Sequence, residues 1–360
     1  MIGFQESGAD AELLRQFSKL CDTHFRQHQW GVKISINDTS NASTAESPRW
    51  PWGEGVHERV PIPVSPSIQS RLVAIHLRWL VRPWMSSRTH VGLQRLLTVL
   101  LKWTLPTARG VTTQQFNFAE LQCDCHTPSN TFDSEASIVY FHGAGYPFYS
   151  PDIHRSLTQL IALDSGLQVF VPSYRAAPEH PFSTQLDDAK NFVEALEQQG
   201  MDVRKMVFAG DSIGAHLALT EALARRDLGK TLPRSLVLIS PCGDWMLQSL
   251  PIRNLDDLLT QGWVTLARDG YVDPKLESLP IAHPINANLR RLPPVLIQSS
   301  SDEFFARDSN RLYWSLIGAE GLVTWQEWQG LWHRVYFNAA LVPEGRAAVR
   351  RIARFIRACM

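Results

Sequence analysis

The chain has 360 residues, 44% of them hydrophobic and 19% charged, which is enough apolar content for a full core and too little charge for a disordered polymer. Its 35 Lys and Arg balance 35 Asp and Glu, so no single-sign field marks a nucleic-acid or anionic-membrane binder. Five scattered cysteines (Cys21, Cys123, Cys125, Cys242 and Cys359) fit reduced thiols better than a disulfide framework, and the opening MIGFQESGADAELLRQF lacks the pattern of a secretory leader, so a cytoplasmic protein is expected.

Residues 1–112 read as an N-terminal lid or cap. The stretch from Asn37 to Pro66 is broken by Pro, Ser, Thr and Gly and has no regular period. Two amphipathic helices are expected after it. One carries Leu72, Ile75 and Trp79 and ends at Pro83; the other carries Leu93, Leu96, Leu97, Leu100 and Leu101. A lid packed over an active site accounts for such faces better than a helix pair lying on a membrane. No apolar run reaches the ~18 residues needed to span a bilayer, so no stable membrane insertion is expected. Trp30, Trp50, Trp52, Trp79, Trp84 and Trp103 also lie in this region, where they either face an apolar substrate or hold the lid to the body.

From residue 113 to 360 the pattern becomes strand-like runs alternating with helical ones, as in a mostly parallel sheet covered on both faces. The expected strands are FNFAELQC from Phe116, SIVYFHG from Ser137, LQVFVPSY from Leu167, KMVFAGD from Lys205, RSLVLISP from Arg234, PPVLIQSSS from Pro293 and LVTWQEW from Leu322. Helices are expected over Pro181–Gln199 and Ile213–Arg226, with a C-terminal one placing Val349, Ile352, Phe355 and Ile356 on one face. Residues 242–291 interrupt the alternation as a partly helical insertion contributing to the cap. Cys123, Cys125 and His126 lack the spacing of a zinc site and read as ordinary strand residues.

The strongest local signal is Gly210-Asp211-Ser212-Ile213-Gly214, which joins the apolar strand KMVFA to a helical run. A sharp strand-to-helix turn needs small flanking residues, presents the Ser212 hydroxyl at a helix N-terminus, and aims the Ile213 N–H at an oxyanion forming beside it. The second signal, His142-Gly143-Ala144-Gly145-Tyr146, follows the strand IVYF. Gly143 and Ala144 are expected to join Ile213 in an oxyanion hole, with His142 bracing the loop by hydrogen bonding and Gly145 and Asp211 supporting it.

HGAGY, then Tyr174-Arg175-Ala176-Ala177-Pro178-Glu179-His180-Pro181-Phe182, then GDSIGA occur in that order. The chain thereby resembles the hormone-sensitive-lipase-like esterases, which carry H-G-G-G, a segment close to YRLAPEHPFPA, and GDSAGG. The resemblance runs from about Phe116 to the C-terminus. It implies the α/β-hydrolase fold: a mostly parallel central sheet flanked by helices, with an N-terminal helical lid and a second insertion after the sixth strand of that fold. Ala144, Ile213 and Ala215 depart from the family pattern, and the bulk of Ile213 is expected to narrow the pocket.

The resemblance also implies that the triad acid and base follow the serine, in that order. Asp302, just beyond PPVLIQSSS, aligns with the family's acid, with Glu303 and Asp308 as rivals; His333 in QGLWHRVYF is the expected base. The YRAAPEHPF segment is expected to be structural, with Arg175 paired to Glu179. The expected function is a serine hydrolase that cleaves a small, apolar or aromatic ester or lactone through an acyl-enzyme, without metal or organic cofactor. An acyltransferase or cyclase using the same triad is the nearest alternative. A small-ligand receptor on the same scaffold is another, but the gibberellin receptors that resemble this family have lost the histidine that this chain retains. A homodimer is compatible with the sequence.

Overall fold

The computed structural model describes residues 58–62, 65–84, 106–118, 120–143, 151–177, 179–245, 247, 251, 254–272 and 282–360. In chain order the elements are β1 (Glu58–Ile62), α1 (Ile68–His76), β2 (Val111–Phe118), β3 (Leu121–Pro128), β4 (Ser137–Phe141), α2 (Pro151–Ser165), β5 (Gln168–Pro172), α3 (Thr184–Gln198), β6 (Met206–Asp211), α4 (Ile213–Asp227), β7 (Ser235–Ile239), α5 (Gln261–Tyr271), β8 (Val295–Ser300), α6 (Ala306–Gly318), β9 (Val323–Trp328) and α7 (Pro343–Cys359). Nine strands form one sheet in the order β1-β9-β8-β7-β6-β4-β5-β3-β2, parallel except where β3 pairs with β2 and β5.

The four strands nearest the middle, β4, β6, β7 and β8, are buried along their whole length. This is why their apolar residues run consecutively (IVYF, MVFA, LVLI and VLI) rather than alternating with polar ones: helices cover both faces. Phe192 of α3, Leu217 of α4 and Leu316 of α6 pack on one side with Phe208 and Trp325. Ile161 of α2 and Val349 and Ile352 of α7 pack on the other with Tyr140 and Val237.

Register then sets the position of the site. Phe141 pairs with Gly210, Asp211 with Ile239, and Ser300 with Trp328. The loops leaving β4, β6, β8 and β9 therefore emerge together at the carboxyl edge of the sheet, the usual place for ligands in an open parallel sheet.

Three expectations are revised. FNFAELQC is not one strand but the end of β2, a turn at Glu120 with φ +65°, and the start of β3. Residues 58–62, within the supposed irregular stretch of the lid, form edge strand β1 parallel to β9. In α1 and the helical turn that follows it, Leu77–Val81, the face carrying Leu72, Ile75 and Trp79 is outermost, at 61%, 56% and 70% exposure, while Val73, Ala74 and Leu77 turn toward the core.

The start of α1 is fixed to α7. Ser67 caps the helix by accepting from the Ser70 N–H, while its own N–H (2.6 Å) and hydroxyl (3.0 Å) donate to the Glu344 carboxylate. Just beyond α1, Arg78 donates to Asp257 of the 242–291 insertion at 2.6 Å. The helix expected at Leu93–Leu101 lies outside the described residues. No helix among those described is long and apolar enough to cross a membrane.

Candidate active site

Between β6 and α4 the backbone reverses at Ser212, whose φ of +55° and ψ of −116° lie where an L-residue is strained. The turn is held by the Ser212 N–H donating to Ile239 O at 2.8 Å and by the Cys242 N–H donating to Ser212 O at 3.3 Å. A Cβ on Gly214 would sit 1.9 Å from Phe141 O, and one on Gly210 2.3 Å from Gly214 O. Both glycines are thus required by backbone approaching backbone. Ile213 begins α4, so its N–H belongs to the first turn, where intrahelical acceptors are lacking.

Asp211 sits in a buried polar network. Its carboxylate accepts from Tyr140 Oη and from the Gly143 N–H, each at 2.8 Å, and meets His154 Nε2 at 3.3 Å and Arg334 Nε at 2.7 Å. Burial alone would raise this carboxyl, but Arg334, His154 and the Gly143 N–H outweigh it and hold Asp211 well below the usual carboxylate range.

The Gly143 contact corrects the expected oxyanion hole. Its N–H is committed to Asp211, and a Cβ there would lie 2.3 Å from Asp211 Oδ2, so Gly143 anchors the loop and does not offer a donor. Ala144 and Gly145 lie outside the described residues.

His142 braces the same loop by stacking rather than by a ring hydrogen bond. Its imidazole lies on Tyr174, with centroids 4.3 Å apart and planes at 9°, and the Tyr174 hydroxyl donates to the His142 carbonyl. Burial, followed by the neighbouring His154, keeps the His142 ring neutral. In the adjacent segment the carboxylate that meets Arg175 is Asp188, which accepts from Nη2 at 2.6 Å and from the Arg175 N–H at 2.8 Å, in place of the expected pairing with Glu179.

The carboxylate beside the expected base is not Asp302. His333 is 2% exposed, and the carboxylate facing its Nδ1 is Glu303, with Oε2 at 3.5 Å. Ser240 Oγ donates to that same Oε2 at 2.6 Å. Asp302 is half-buried, accepts from Ser301 Oγ at 2.8 Å, and borders a surface depression with Pro251, Leu255 and Arg307. As the chain turns beyond β8, residue 303 points inward and residue 302 outward. Asp308 accepts the Gly243 N–H at 3.0 Å and is structural.

Asp256 ties the pieces together. Fully buried, it accepts N–H donors from Leu258 (2.8 Å) and Phe304 (2.9 Å), as well as the backbone N–H of His333. Burial pushes its carboxyl up to about 6. Burial likewise drives the His333 imidazole well below its ordinary value, assisted by Arg334 and opposed by Asp211, and raises the Glu303 carboxyl.

Ser212, Ile213 and His333 line one pocket whose other walls include Trp245, Leu259, Trp263 and Phe305. Among the described residues its indoles, Trp245 and Trp263, come from the insertion; of the N-terminal tryptophans Trp79 is 70% exposed, and Trp30, Trp50, Trp52 and Trp103 lie outside the described residues. The spacing of Trp263, Val264, Ala267 and Tyr271, all buried on α5, was the signal available for this wall. Trp245 Nε1 donates to His216 Nδ1 at 3.1 Å, which gives His216 a structural place.

Cys123, Cys125 and His126 lie within β3, where burial raises both thiols and lowers His126 to about 4. Among the described residues no group of three or more His, Cys, Asp or Glu is placed to hold a metal.

Residues 138–337 match the family model described as alpha/beta hydrolase fold. The chain is 33% identical over 224 residues to an acetyl-hydrolase of Streptomyces hygroscopicus, covering 61% of this chain and 75% of that one. It is 26% identical over 280 residues to the putative acetyl-hydrolase LipR of Mycobacterium tuberculosis, covering 77% and 90%. A crystal structure of an esterase from the bacterial hormone-sensitive lipase family superposes with a TM-score of 0.74 at 25% identity, covering 82% of this chain and 99% of that one. With an elbow serine, a histidine lining the same pocket and these relatives, the chain is a carboxylic ester hydrolase and belongs to the hormone-sensitive-lipase-like esterases of the α/β-hydrolase superfamily.

Proposed function

We propose that Ser212 is the nucleophile, His333 the general base and Glu303 the orienting acid of an acyl-enzyme mechanism acting on small apolar or aromatic esters and lactones. The observation that carries this reading is the Glu303 carboxylate 3.5 Å from Nδ1 of a histidine that shares its pocket with Ser212. That distance is long for a hydrogen bond, but catalytic contacts commonly tighten only once substrate is bound.

In the first half-reaction His333 takes the Ser212 proton as the hydroxyl attacks the ester carbonyl, and Glu303 fixes the imidazole tautomer and stabilises the imidazolium. The Ile213 N–H and loop N–H groups beyond Gly143, starting with Ala144, stabilise the tetrahedral oxyanion. His333 then protonates the departing alkoxide, and water attacks the acyl-enzyme by the same steps in reverse order.

Trp245, Trp263, Leu259 and Phe305 favour an apolar substrate, and the closeness of Ile213 to the nucleophile favours a small one. A ladder of p-nitrophenyl esters tests this. The kcat/KM is expected to peak at acyl chains of about two to six carbons and to fall by more than about tenfold at twelve. A profile rising toward long chains would contradict the reading.

The base must be neutral to act, and His333 is held below its ordinary value, so proton loss precedes the neutral range. As pH falls, kcat/KM is therefore expected to stay level through about 6.5 and to decline only below it. An acid limb centred above pH 7 would show that His333 is not the base or is not buried as described.

A further inference from the structure

The residue after the base, Arg334, reaches back beneath the nucleophile, and none of the expected site residues accounts for it. Its backbone is left-handed, with φ +62° and ψ +39°, and carries the side chain away from the direction taken by His333. The guanidinium lies over the Phe337 ring at 3.8 Å, meets Asp211 Oδ2 through Nε at 2.7 Å, and approaches His154 Nε2 through Nη2 at 2.6 Å. The same Asp211 carboxylate holds the Gly143 N–H and directly precedes Ser212. One side chain thus joins the base loop, the nucleophile elbow and the oxyanion loop, three segments that reach the site from different strands.

We propose that Arg334 is a positioning residue for ester hydrolysis: its ion pair with Asp211 locks the His333 loop to the elbow and the Gly143 loop, so that base, nucleophile and oxyanion donors stay in register. The proposal rests on the Ser212–His333 reading above. Arg334 borders the pocket, but its charge is already engaged by Asp211, so it does not serve as an anchor for anionic substrates. Misplacement of a catalytic group by about 1 Å costs on the order of 100-fold in rate, which sets the scale of the expected loss.

The charged and titratable groups facing His333 are Glu303, Arg334, Asp211 and Asp256, and those facing Asp211 are Tyr140, His142, His154 and Arg334. Removing the Arg334 charge removes a cation that disfavours the imidazolium. That shift reads the loss of the charge, while a fall in kcat at unchanged KM reads the loss of positioning.

The test compares wild type, Arg334→Met, Arg334→Lys and the double variant Asp211→Asn/Arg334→Met, with active sites counted by fluorophosphonate titration. In Arg334→Met, kcat is expected to fall about 100-fold with KM within about threefold, and the acid limb of kcat/KM to move up toward about 6.5. Arg334→Lys restores the charge without the planar fork and is expected to recover kcat to within about tenfold, with the limb back at its native position.

The double variant leaves no uncompensated buried charge, so it keeps the comparison valid should Arg334→Met alone fold poorly. It is expected to remain slow. Native kcat in the double variant, an unmoved acid limb in Arg334→Met, or a loss confined to KM would each overturn the proposal. A wild type inactive on all esters would instead refute the triad reading on which it rests.

Discussion

Ser212→Ala is expected to lower kcat by about 10⁶-fold while leaving the fold and KM almost unchanged, because no other hydroxyl stands on the elbow and a triad member removed alone disables the whole unit. The size of the loss follows from the geometry. At φ +55° the serine is held in a backbone conformation that only the close approaches of Gly210 and Gly214 allow. Alanine accepts that backbone as well as serine does, so the change deletes the nucleophile and little else. Initial rates on p-nitrophenyl butyrate, with folding checked by circular dichroism, measure it. Residual activity above about one part in a thousand would point to direct attack by water or to another nucleophile.

The second large effect separates two neighbouring residues. Glu303→Gln is expected to reduce kcat by about 10³- to 10⁴-fold, since the amide offers an N–H where His333 needs an acceptor and no longer stabilises the imidazolium. Asp302→Asn is expected to change kcat by less than about threefold, as for other substitutions at partly exposed positions remote from the chemistry. The two side chains are adjacent in sequence and similar in charge. Only Glu303 is buried against His333 and receives the Ser240 hydroxyl; Asp302 is half-buried and accepts from Ser301 Oγ instead. The opposite ranking of the two variants would return the acid role to Asp302.

That pair also shows where reading the chain reaches its limit. The elbow was legible because a strand, two glycines and a helix must occur in sequence for such a turn to exist, and the buried strands were legible because β4, β6, β7 and β8 each carry a mainly apolar run. The neighbourhood of the carboxylate that approaches His333 was legible to within one residue. Which of two adjacent carboxylates turns inward depends on how the chain leaves β8, and no local pattern records that.

Long-range pairing hid other features. Edge strand β1 is recognisable only through β9, more than 260 residues away in sequence by its Arg59–Glu327 contact, and Arg175 meets Asp188 rather than the nearer Glu179. The committed N–H of Gly143 was equally invisible, because the oxyanion loop and Asp211 meet only when β4 and β6 pair. The apolar spacing of α1 was read correctly as helical but not by orientation, since the residues that turn inward are Val73, Ala74 and Leu77.

The most direct measurement is the rate at which a fluorophosphonate modifies the protein, with the adduct located by peptide mass spectrometry, in wild type, Asp302→Asn and Glu303→Gln. The account predicts a single adduct on Ser212, formed at the native rate in Asp302→Asn and about 10³-fold more slowly in Glu303→Gln. An adduct on another residue, or slowing in Asp302→Asn with Glu303→Gln unaffected, would contradict it.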